Sequence, residues 1–213
     1  MDNTLEFGLL AFTSLFTMVN PPGVIPVYIA MTAELSPAQR RDVARKATLV
    51  AMLTLMAFAL TGQLIFSFFN ISVNSLRIVG GVIFFRIGYE MLGAQLSPTK
   101  FDAESESAYV TDIAITPLAI PIISGPGAIT TAILLFQDSA DIAQKGVLFA
   151  VIAGIAAITF VVLRSGERIM QTLGDSGNKV MMRLMGLIVM VIAVEFFFAG
   201  LRPILRDILM LNA

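Results

Sequence analysis

The sequence Asn20-Pro21-Pro22-Gly23 interrupts an otherwise hydrophobic segment that runs from Leu5 to Met31. A proline has no backbone N–H and clashes with the preceding helical turn, and a glycine is conformationally free. A second interruption of this kind, Ser124-Gly125-Pro126-Gly127, lies in the middle of another hydrophobic segment. At membrane depth, the backbone groups freed by such a break need partners from protein, water or a ligand. The two breaks therefore indicate where a function would be located.

The composition is that of an integral membrane protein in a lipid bilayer. Of the 213 residues, 57% are hydrophobic and only 14% are charged, whereas ordinary globular chains are about a quarter charged. The chain has no cysteine and no histidine, which excludes disulfides, thiolate sites and imidazole ligands. We therefore expect no metal and no cofactor. A net charge of −1 argues against nucleic acid as a partner.

The hydrophobic pattern predicts an all-α membrane protein with six transmembrane helices. Before the second helix, Ser36 and Gln39 have the spacing of a capping box, with Pro37 at the first helical position. In the fifth helix, Ala150 and Gly154 have the small-residue spacing of closely packed membrane helices. The six segments are Leu5–Met31, Ala47–Phe69, Leu76–Leu96, Ile113–Phe136, Gly146–Leu163 and Val180–Leu201.

Two polar stretches divide these segments. The acidic stretch 97–112 is poor in apolar residues and is expected to be a mobile linker without regular structure. It separates a first three-helix repeat, residues 1–96, from a second, residues 113–213. The loop 164–179 separates the fifth and sixth segments and has room for a short amphipathic helix.

The lysines and arginines predict the orientation of the chain in the plasma membrane. Ten of the fourteen fall on one side, in the links after the first and fifth segments and at the end of the third. Without Arg86, whose side is ambiguous, the count is nine against four. Because positive residues stay cytoplasmic, both termini of this multi-pass protein are expected to be non-cytoplasmic.

The two halves of the chain resemble each other. An offset of 104 residues superimposes the two Pro-Gly breaks, and an offset of 106 superimposes Arg77-Ile78-Val79-Gly80 on Arg183-Leu184-Met185-Gly186. Each half then holds three spans, and because three is odd, the second half is inverted. This 3+3 inverted repeat is typical of secondary transporters, whose broken helices meet near the bilayer midplane. The alternative is a chance match between hydrophobic helices.

A helix that begins inside the membrane presents unpaired N–H groups and about half a positive charge. At the first break, Asn20 can cap such a helix, and Pro21 and Pro22 occupy positions where no donor is needed. The N–H groups of Gly23 and the two residues after it would then point toward the break.

The second break has the same chemistry. Ser124 can cap, Gly125 and Gly127 allow close approach to the backbone, and Pro126 starts the half-helix. The N–H groups of residues 127–129 would be available, with the Thr130 hydroxyl beside them. Anions bind at helix N-termini without a lysine or arginine, so the pair of breaks suits a small zwitterionic substrate. The alternative is that both are proline kinks packed against neighbouring helices.

Three ionisable residues lie inside the predicted spans. Arg86 and Glu90 are one turn apart in the third, and Glu195 lies in the sixth. A charge at the membrane centre costs about 2.5–3.5 kcal/mol on insertion scales, so it should be paired or near water. These residues are the candidates for coupling transport to an ion, although Arg86 can also reach the cytoplasmic surface while it pairs with Glu90.

These features together resemble the MarC family of bacterial and archaeal inner-membrane proteins, also known as the neutral amino acid transporter family. The resemblance implies six spans, a plasma-membrane location and transport of glycine and other small neutral amino acids driven by ion or proton gradients. Glu195 stands where relatives have Glu or Gln, and Arg86 departs from the apolar residue expected there. In chain order, the matching stretches are Asn20–Val27, Leu76–Gly81, Pro117–Pro121, Ser124–Ile129, Arg183–Leu187 and Glu195-Phe196.

We therefore predict a secondary transporter of small neutral amino acids that works by alternating access and is coupled to a proton or sodium gradient. The alternative is an exporter of other small or toxic molecules, which would need a wide apolar cavity. An intramembrane enzyme is not expected, because the chain lacks histidine and cysteine and Ser124 has no obvious base. No ring of charged residues suggests a channel filter. The sequence leaves open whether the protein is a homo-oligomer.

Overall fold

The computed structural model describes residues 3–32, 35–93 and 103–209, and every regular element in these ranges is helical. Between the fifth and sixth helices, the irregular segment Ala114–Ile123 has wide helical turns interrupted at Thr116 and Ile120, each of which precedes a cis proline. The predicted all-α class is therefore confirmed over the described residues. The helices are α1 Asn3–Val19, α2 Pro21–Met31, α3 Pro37–Phe69, α4 Val73–Leu92, α5 Ala103–Ile113, α6 Pro126–Asp138 and α7 Ile142–Ile208.

Four helical stretches of the described chain are long and apolar enough to cross a membrane. A fifth span results if the pair Ala108–Ile123 and Pro126–Asp138, bent by 62°, crosses as one unit. The 20-residue helix α4 is long enough as well, but it carries three charged residues, Arg77, Arg86 and Glu90. The count of six spans therefore stays a prediction. The four stretches are Thr4–Ile25, Pro37–Phe69, Ile142–Gly166 and Gly186–Ile208.

Small residues at seven-residue intervals join α4 to the second part of α7 in an antiparallel pair. A Cβ atom on Gly81 would lie 2.7 Å from the carbonyl oxygen of Ala193, and one on Gly88 would lie 2.7 Å from that of Gly186. A Cβ on Gly200 would meet the carbonyl oxygen of Asn74. Backbones approach this closely in membrane helices only where the side chains are small. We refer to this contact as the glycine seam.

The two broken helices each lie beside a long helix that runs in the same direction. At one end of α3, the Lys46 ammonium group donates to the Thr111 hydroxyl at 3.0 Å, and farther along Gly62 contacts Ile133 of α6. The first part of α7 runs beside α1 and α2 in the same way. Gly8 of α1 contacts Val147, and a Cβ on Gly166 would lie 3.6 Å from the end of Ile29 in α2.

Helix α7 cannot be straight. Gly166 lies against Ile29 of α2, and Val189 lines a cavity together with Val27 of the same helix. A straight helix would separate Gly166 from Val189 by about 35 Å, at 1.5 Å per residue. The chain therefore reverses direction between them while it remains helical. The stretch 164–179 was expected to be a loop with room for a short amphipathic helix, but all of it belongs to α7. It contains no proline that would stop a helix.

Two further expectations need correction and one is confirmed. The stretch 97–112 is not without regular structure, because α5 begins at Ala103; residues 97–102 lie outside the described residues. Gly154 is exposed, and a Cβ there would meet no atom within 4 Å, so it does not mark a close helix contact within this chain. The capping box is confirmed: Gln39 N–H donates to the Ser36 hydroxyl, and Ser36 N–H donates to the Gln39 side chain.

Candidate functional site

The first break is a single residue in the left-handed conformation. Asn20 has φ 46° and ψ 63° and separates α1 from α2, which begins at Pro21. Its side chain makes no hydrogen bond to the start of α2, so the expected cap is wrong. A capping side chain reaches its target from β-region backbone, and the left-handed backbone of Asn20 directs the carboxamide elsewhere. A Cβ on Gly23 would lie 2.5 Å from the Asn20 side-chain nitrogen, so glycine leaves room for this carboxamide.

The N–H group of Gly23 is also not free as expected, because it donates to the carbonyl oxygen of Asn20 at 2.8 Å. Pro21 is buried and Pro22 is exposed. Of the expected donors at the first break, the N–H of Gly23 is therefore taken, and the break also presents a carboxamide and carbonyl groups.

At the second break, Gly125 takes the capping position that was expected for Ser124, and α6 begins at Pro126. Ser124 is fully buried. Its N–H and its hydroxyl both donate to the carbonyl oxygen of Ala119, at 2.9 and 2.7 Å. The hydroxyl therefore closes the irregular segment and does not cap α6.

The N-terminus of α6 keeps two N–H groups without a helical partner. The N–H of Ile129 donates to the Gly125 carbonyl at 2.9 Å, which is the first hydrogen bond of the helix and removes Ile129 from the expected donors. Because Pro126 has no N–H, Gly127 and Ala128 hold the unpaired donors that every helix has at its start. Both residues are buried.

Thr130 lies one turn into α6 and is only 2% exposed. Other buried threonines, Thr32, Thr48 and Thr159, donate their hydroxyl groups to the carbonyl four residues earlier. The Thr130 hydroxyl has no hydrogen-bond partner, and no other buried side-chain polar atom of the described residues shares this condition. A buried polar group without a partner is uncommon in native proteins and points to a ligand, a water or a second conformation.

A cavity of about 220 Å³ lies beside the first break. The walls that the structure describes come from the junction of α1 and α2, from α4, from the irregular segment and from α7. None of these wall residues is charged. They are Thr17, Met18, Val19, Asn20, Gly23, Val24, Val27, Phe84, Ile87, Ile122, Val189, Ile192 and Phe196.

Two aromatic wall residues connect this cavity to the second break. The rings of Phe84 and Phe196 meet edge to face, with centroids 5.8 Å apart. A Cβ on Gly125 would lie 3.1 Å from the Phe84 ring, and one on Gly127 would lie 2.9 Å from the Phe196 ring and 3.0 Å from the Met18 sulfur. The start of α6 therefore lies directly behind the aromatic wall, and none of the predicted site residues of the second break is among the described wall residues.

The three predicted coupling residues are not brought to this cavity. Arg86 pairs with Glu90 at 3.0 Å on the surface of α4, where the Arg86 side chain is 83% exposed. Glu195 is exposed on α7. None of the three is among the described wall residues.

The aromatic wall and the carbonyl groups that end α1 are features that the sequence reasoning missed. Phe84 and Phe196 occupy hydrophobic segments in which most side chains are apolar, so their role has no signal of its own. The carbonyl groups did have a signal in the sequence, because Pro21 and Pro22 have no N–H to donate to the helical turn before them.

Comparisons with known proteins identify relatives along nearly the whole chain. The model of the MarC family of integral membrane proteins matches residues 5–205. A UPF0056 membrane protein of Pyrococcus abyssi is 38% identical over 95% of this chain and 98% of its own length. The UPF0056 membrane protein YvbG of Bacillus subtilis is 38% identical over 92% and 95%, and YhcE of Escherichia coli is 32% identical over 93% of each chain. No solved structure matches. This protein therefore belongs to the MarC family of integral membrane proteins.

Proposed function

We propose that the protein is a secondary transporter, and not an enzyme, that moves small neutral amino acids across the plasma membrane by alternating access. Transport is coupled to a proton or sodium gradient. The observation that carries this proposal is the small cavity at the first helix break, which has no charged side chain among its described walls and has the second break behind its aromatic wall. Such a site matches a substrate that is itself a zwitterion with zero net charge.

The size of the cavity favours a small substrate. Its volume of about 220 Å³ is below the range of about 300–1,000 Å³ that is typical of sites for drug-sized ligands. The alternative, an exporter of other small or toxic molecules, requires a wider apolar cavity. Glycine, alanine and serine are small enough for this space, and we propose them as the substrates.

The second break supplies a place for the substrate carboxylate. The N–H groups of Gly127 and Ala128 lie at the positive end of α6, and the unpartnered hydroxyl of Thr130 lies one turn away. The Phe84–Phe196 pair separates these groups from the cavity. Binding of the carboxylate therefore requires the aromatic pair to move aside, which would make the substrate trigger a conformational change of the kind that alternating access involves.

Contacts across the glycine seam support the inverted repeat. Gly81 and Gly186 are 105 positions apart, and so are Gly88 and Ala193. If the two halves are exchanged, Gly81 is replaced by Gly186 and Ala193 by Gly88. The contact of Gly81 with Ala193 then becomes the contact of Gly186 with Gly88, and both contacts occur. A two-fold exchange of this kind is expected when two halves with the same fold pack in opposite orientations.

The long helices support the same relation. The contact of Gly62 with Ile133 corresponds, within one residue, to the contact of Ile29 with Gly166. We therefore propose six spans in a 3+3 inverted repeat, with the first and fourth spans broken at the cavity. Both termini then lie outside the cytoplasm, and a homo-oligomer is compatible with this arrangement.

The proposal is tested by measuring the flux of labelled glycine and alanine into proteoliposomes, with and without a proton or sodium gradient. We expect saturable flux that serine inhibits and that a larger amino acid such as phenylalanine does not. Absence of flux with every small neutral amino acid would reject the proposal.

A variant of the aromatic wall adds a test of the site itself. Phe196→Leu shortens a wall residue and should extend transport toward larger amino acids such as valine. The matched control is Phe198→Leu, because Phe198 is exposed on the other side of the same helix turn. Equal substrate profiles for the two variants would locate the site elsewhere.

A further inference from the structure

The carbonyl groups that end α1 lack the donors that helix ends usually find. The N–H of Asn20 donates to the carbonyl oxygen of Phe16 at 2.9 Å. This bond, made from a residue with positive φ, is the single bond of a left-handed helix cap, which satisfies one of the last four carbonyl groups. The other three belong to Thr17, Met18 and Val19.

The residues after the cap cannot donate to these three carbonyl groups. Pro21 and Pro22 have no N–H, and the first N–H after them, on Gly23, donates to the Asn20 carbonyl at 2.8 Å. In an ordinary helix end, one or more of these N–H groups would turn back onto the last helical turn. Here the sequence removes two of them, and the third has another partner.

All three of these residues line the cavity at the first break, together with Asn20. Helical carbonyl groups point along the helix axis toward its C-terminal end, where they give about half a negative charge. The open ends of these groups are therefore directed toward the break. The Asn20 side chain, which does not cap α2, adds a further neutral oxygen beside them.

The second break shares one sequence feature with the first, a proline four residues after a wall residue. Ile122 also lines the cavity, and the residue four positions later is Pro126, which has no N–H to donate to the Ile122 carbonyl. Met18 and Pro22 have the same spacing at the first break.

We propose that these carbonyl oxygens, led by those of Thr17 and Met18, form a site for a monovalent cation inside the cavity. The cation is either Na⁺ or the ammonium group of the substrate; the second source rests on the function proposed above. Backbone carbonyls at interrupted membrane helices are suitable ligands for such ions. The described walls contain no carboxylate, so a divalent cation, which favours charged oxygen ligands, does not fit.

No described charge competes for this position. Arg86 is engaged with Glu90 on the outer surface of α4, and Glu195 is exposed on α7. A cation in the cavity therefore meets neutral oxygens and the negative end of the α1 dipole, which opposes the positive ends of α2 and α6. The site is one that Na⁺ or a primary ammonium group, which can donate N–H groups to the carbonyl oxygens, can enter and leave, since no fixed charge holds it there.

The test restores the missing donors. Pro22→Ala adds an N–H next to the carbonyl groups that end α1, and the exposure of Pro22 means that little packing is lost. The double variant Pro21→Ala with Pro22→Ala adds two. The control is Pro203→Ala, which restores an N–H at an exposed proline inside α7 and away from the cavity walls.

Two sets of probes distinguish the sources of the cation. The first compares the thermal unfolding of the purified protein in detergent in NaCl and in choline chloride, and it uses no substrate. The second compares binding of glycine with binding of propionate, which has a carboxylate but no ammonium group. In wild type and in Pro203→Ala, we expect either stabilisation by Na⁺ or a preference for glycine over propionate.

In Pro22→Ala, we expect the affinity for the responding probe to fall by about 10- to 100-fold, which corresponds to one hydrogen bond to a charged group. If Pro22→Ala loses the stabilisation by NaCl, the site is assigned to Na⁺. If it loses only affinity for glycine, the site is assigned to the ammonium group. The inference is overturned if the wild type responds to neither probe, or if both proline variants bind like Pro203→Ala. Because the NaCl comparison needs no substrate, it can support the site even if amino acid flux is absent. If amino acid flux is present but Pro22→Ala responds to both probes as the wild type does, only the cation site is rejected.

Discussion

The glycine seam predicts that Gly88→Ala separates α4 from α7. A Cβ on Gly88 would lie 2.7 Å from the carbonyl oxygen of Gly186, 2.7 Å from the Met190 side chain and 3.0 Å from the Met190 backbone nitrogen. The side chain can move, but the two backbone atoms move only with the whole helix. Overpacking costs about 1–3 kcal/mol, and replacing a helical glycine with alanine contributes about 1 kcal/mol in the opposite direction.

Because the obstacle is backbone, we expect the cost to fall in the upper part of that range and the net loss to be about 1–2 kcal/mol. The control is Gly154→Ala, since a Cβ at Gly154 meets no atom within 4 Å. That variant should keep only the gain in helix propensity, of up to about 1 kcal/mol.

The two variants can be compared by titrating SDS into the protein in mild detergent micelles and following the helical circular dichroism signal. The expected result is that the transition of Gly88→Ala moves to a lower SDS fraction and that of Gly154→Ala stays or moves to a higher one. If Gly88→Ala were as stable as Gly154→Ala, the close approach of the two helices, and the two-fold exchange inferred from it, would be wrong.

Two further predictions concern the cavity and the coupling candidates. Asn20→Gly keeps the positive φ but removes the carboxamide from the cavity wall, so glycine affinity should fall by about 3- to 10-fold, the worth of one hydrogen bond, while stability is retained. Asn70→Gly, at the other non-glycine residue with positive φ in the described chain, is the control and should leave transport unchanged; equal effects would deny Asn20 a role in binding. Glu195→Gln should leave glycine affinity in proteoliposomes unchanged, because Glu195 is exposed and is not a described wall residue. A large loss of glycine affinity in this variant would indicate that Glu195 contributes to the site. A loss of the pH dependence of flux, with exchange intact, would indicate that Glu195 carries the coupling proton.

The positions of the helix breaks could be predicted from the sequence, but their hydrogen bonds could not. Proline and glycine act locally, so α2 and α6 begin at Pro21 and Pro126. Whether Asn20 and Ser124 cap a helix depends on their backbone angles and on their neighbours. Asn20 adopts the left-handed region, and the Ser124 hydroxyl is taken by Ala119. Neither fact is encoded in the few residues around the break.

The glycine seam was likewise only partly predictable from the sequence. Its residues recur every seven positions in both helices. This spacing is visible in the sequence, but the sequence does not show which helix packs against it. Gly154 lies four residues after Ala150, another spacing typical of close packing, and yet a Cβ added to it would meet no atom within 4 Å. Small residues therefore predict that a close contact is allowed, and the tertiary fold decides which of them makes one.

The walls of the cavity also bear on the choice between a proton and a sodium gradient. Proton coupling through a side chain requires a titratable group whose charge the substrate can sense, and a chain without histidine is left with carboxylates and tyrosines. Among the described wall residues there is no such group, and Glu90 is already paired with Arg86 outside the cavity. Sodium coupling requires only oxygen ligands near the substrate, which the carbonyl groups at the end of α1 would supply in the cation site proposed above. If the site holds Na⁺, the ion and the substrate carboxylate would attract each other in the same low-dielectric space, and each would raise the affinity for the other by the same factor. If the proposed cation site holds Na⁺, we would therefore expect sodium and not a proton to be the coupling ion.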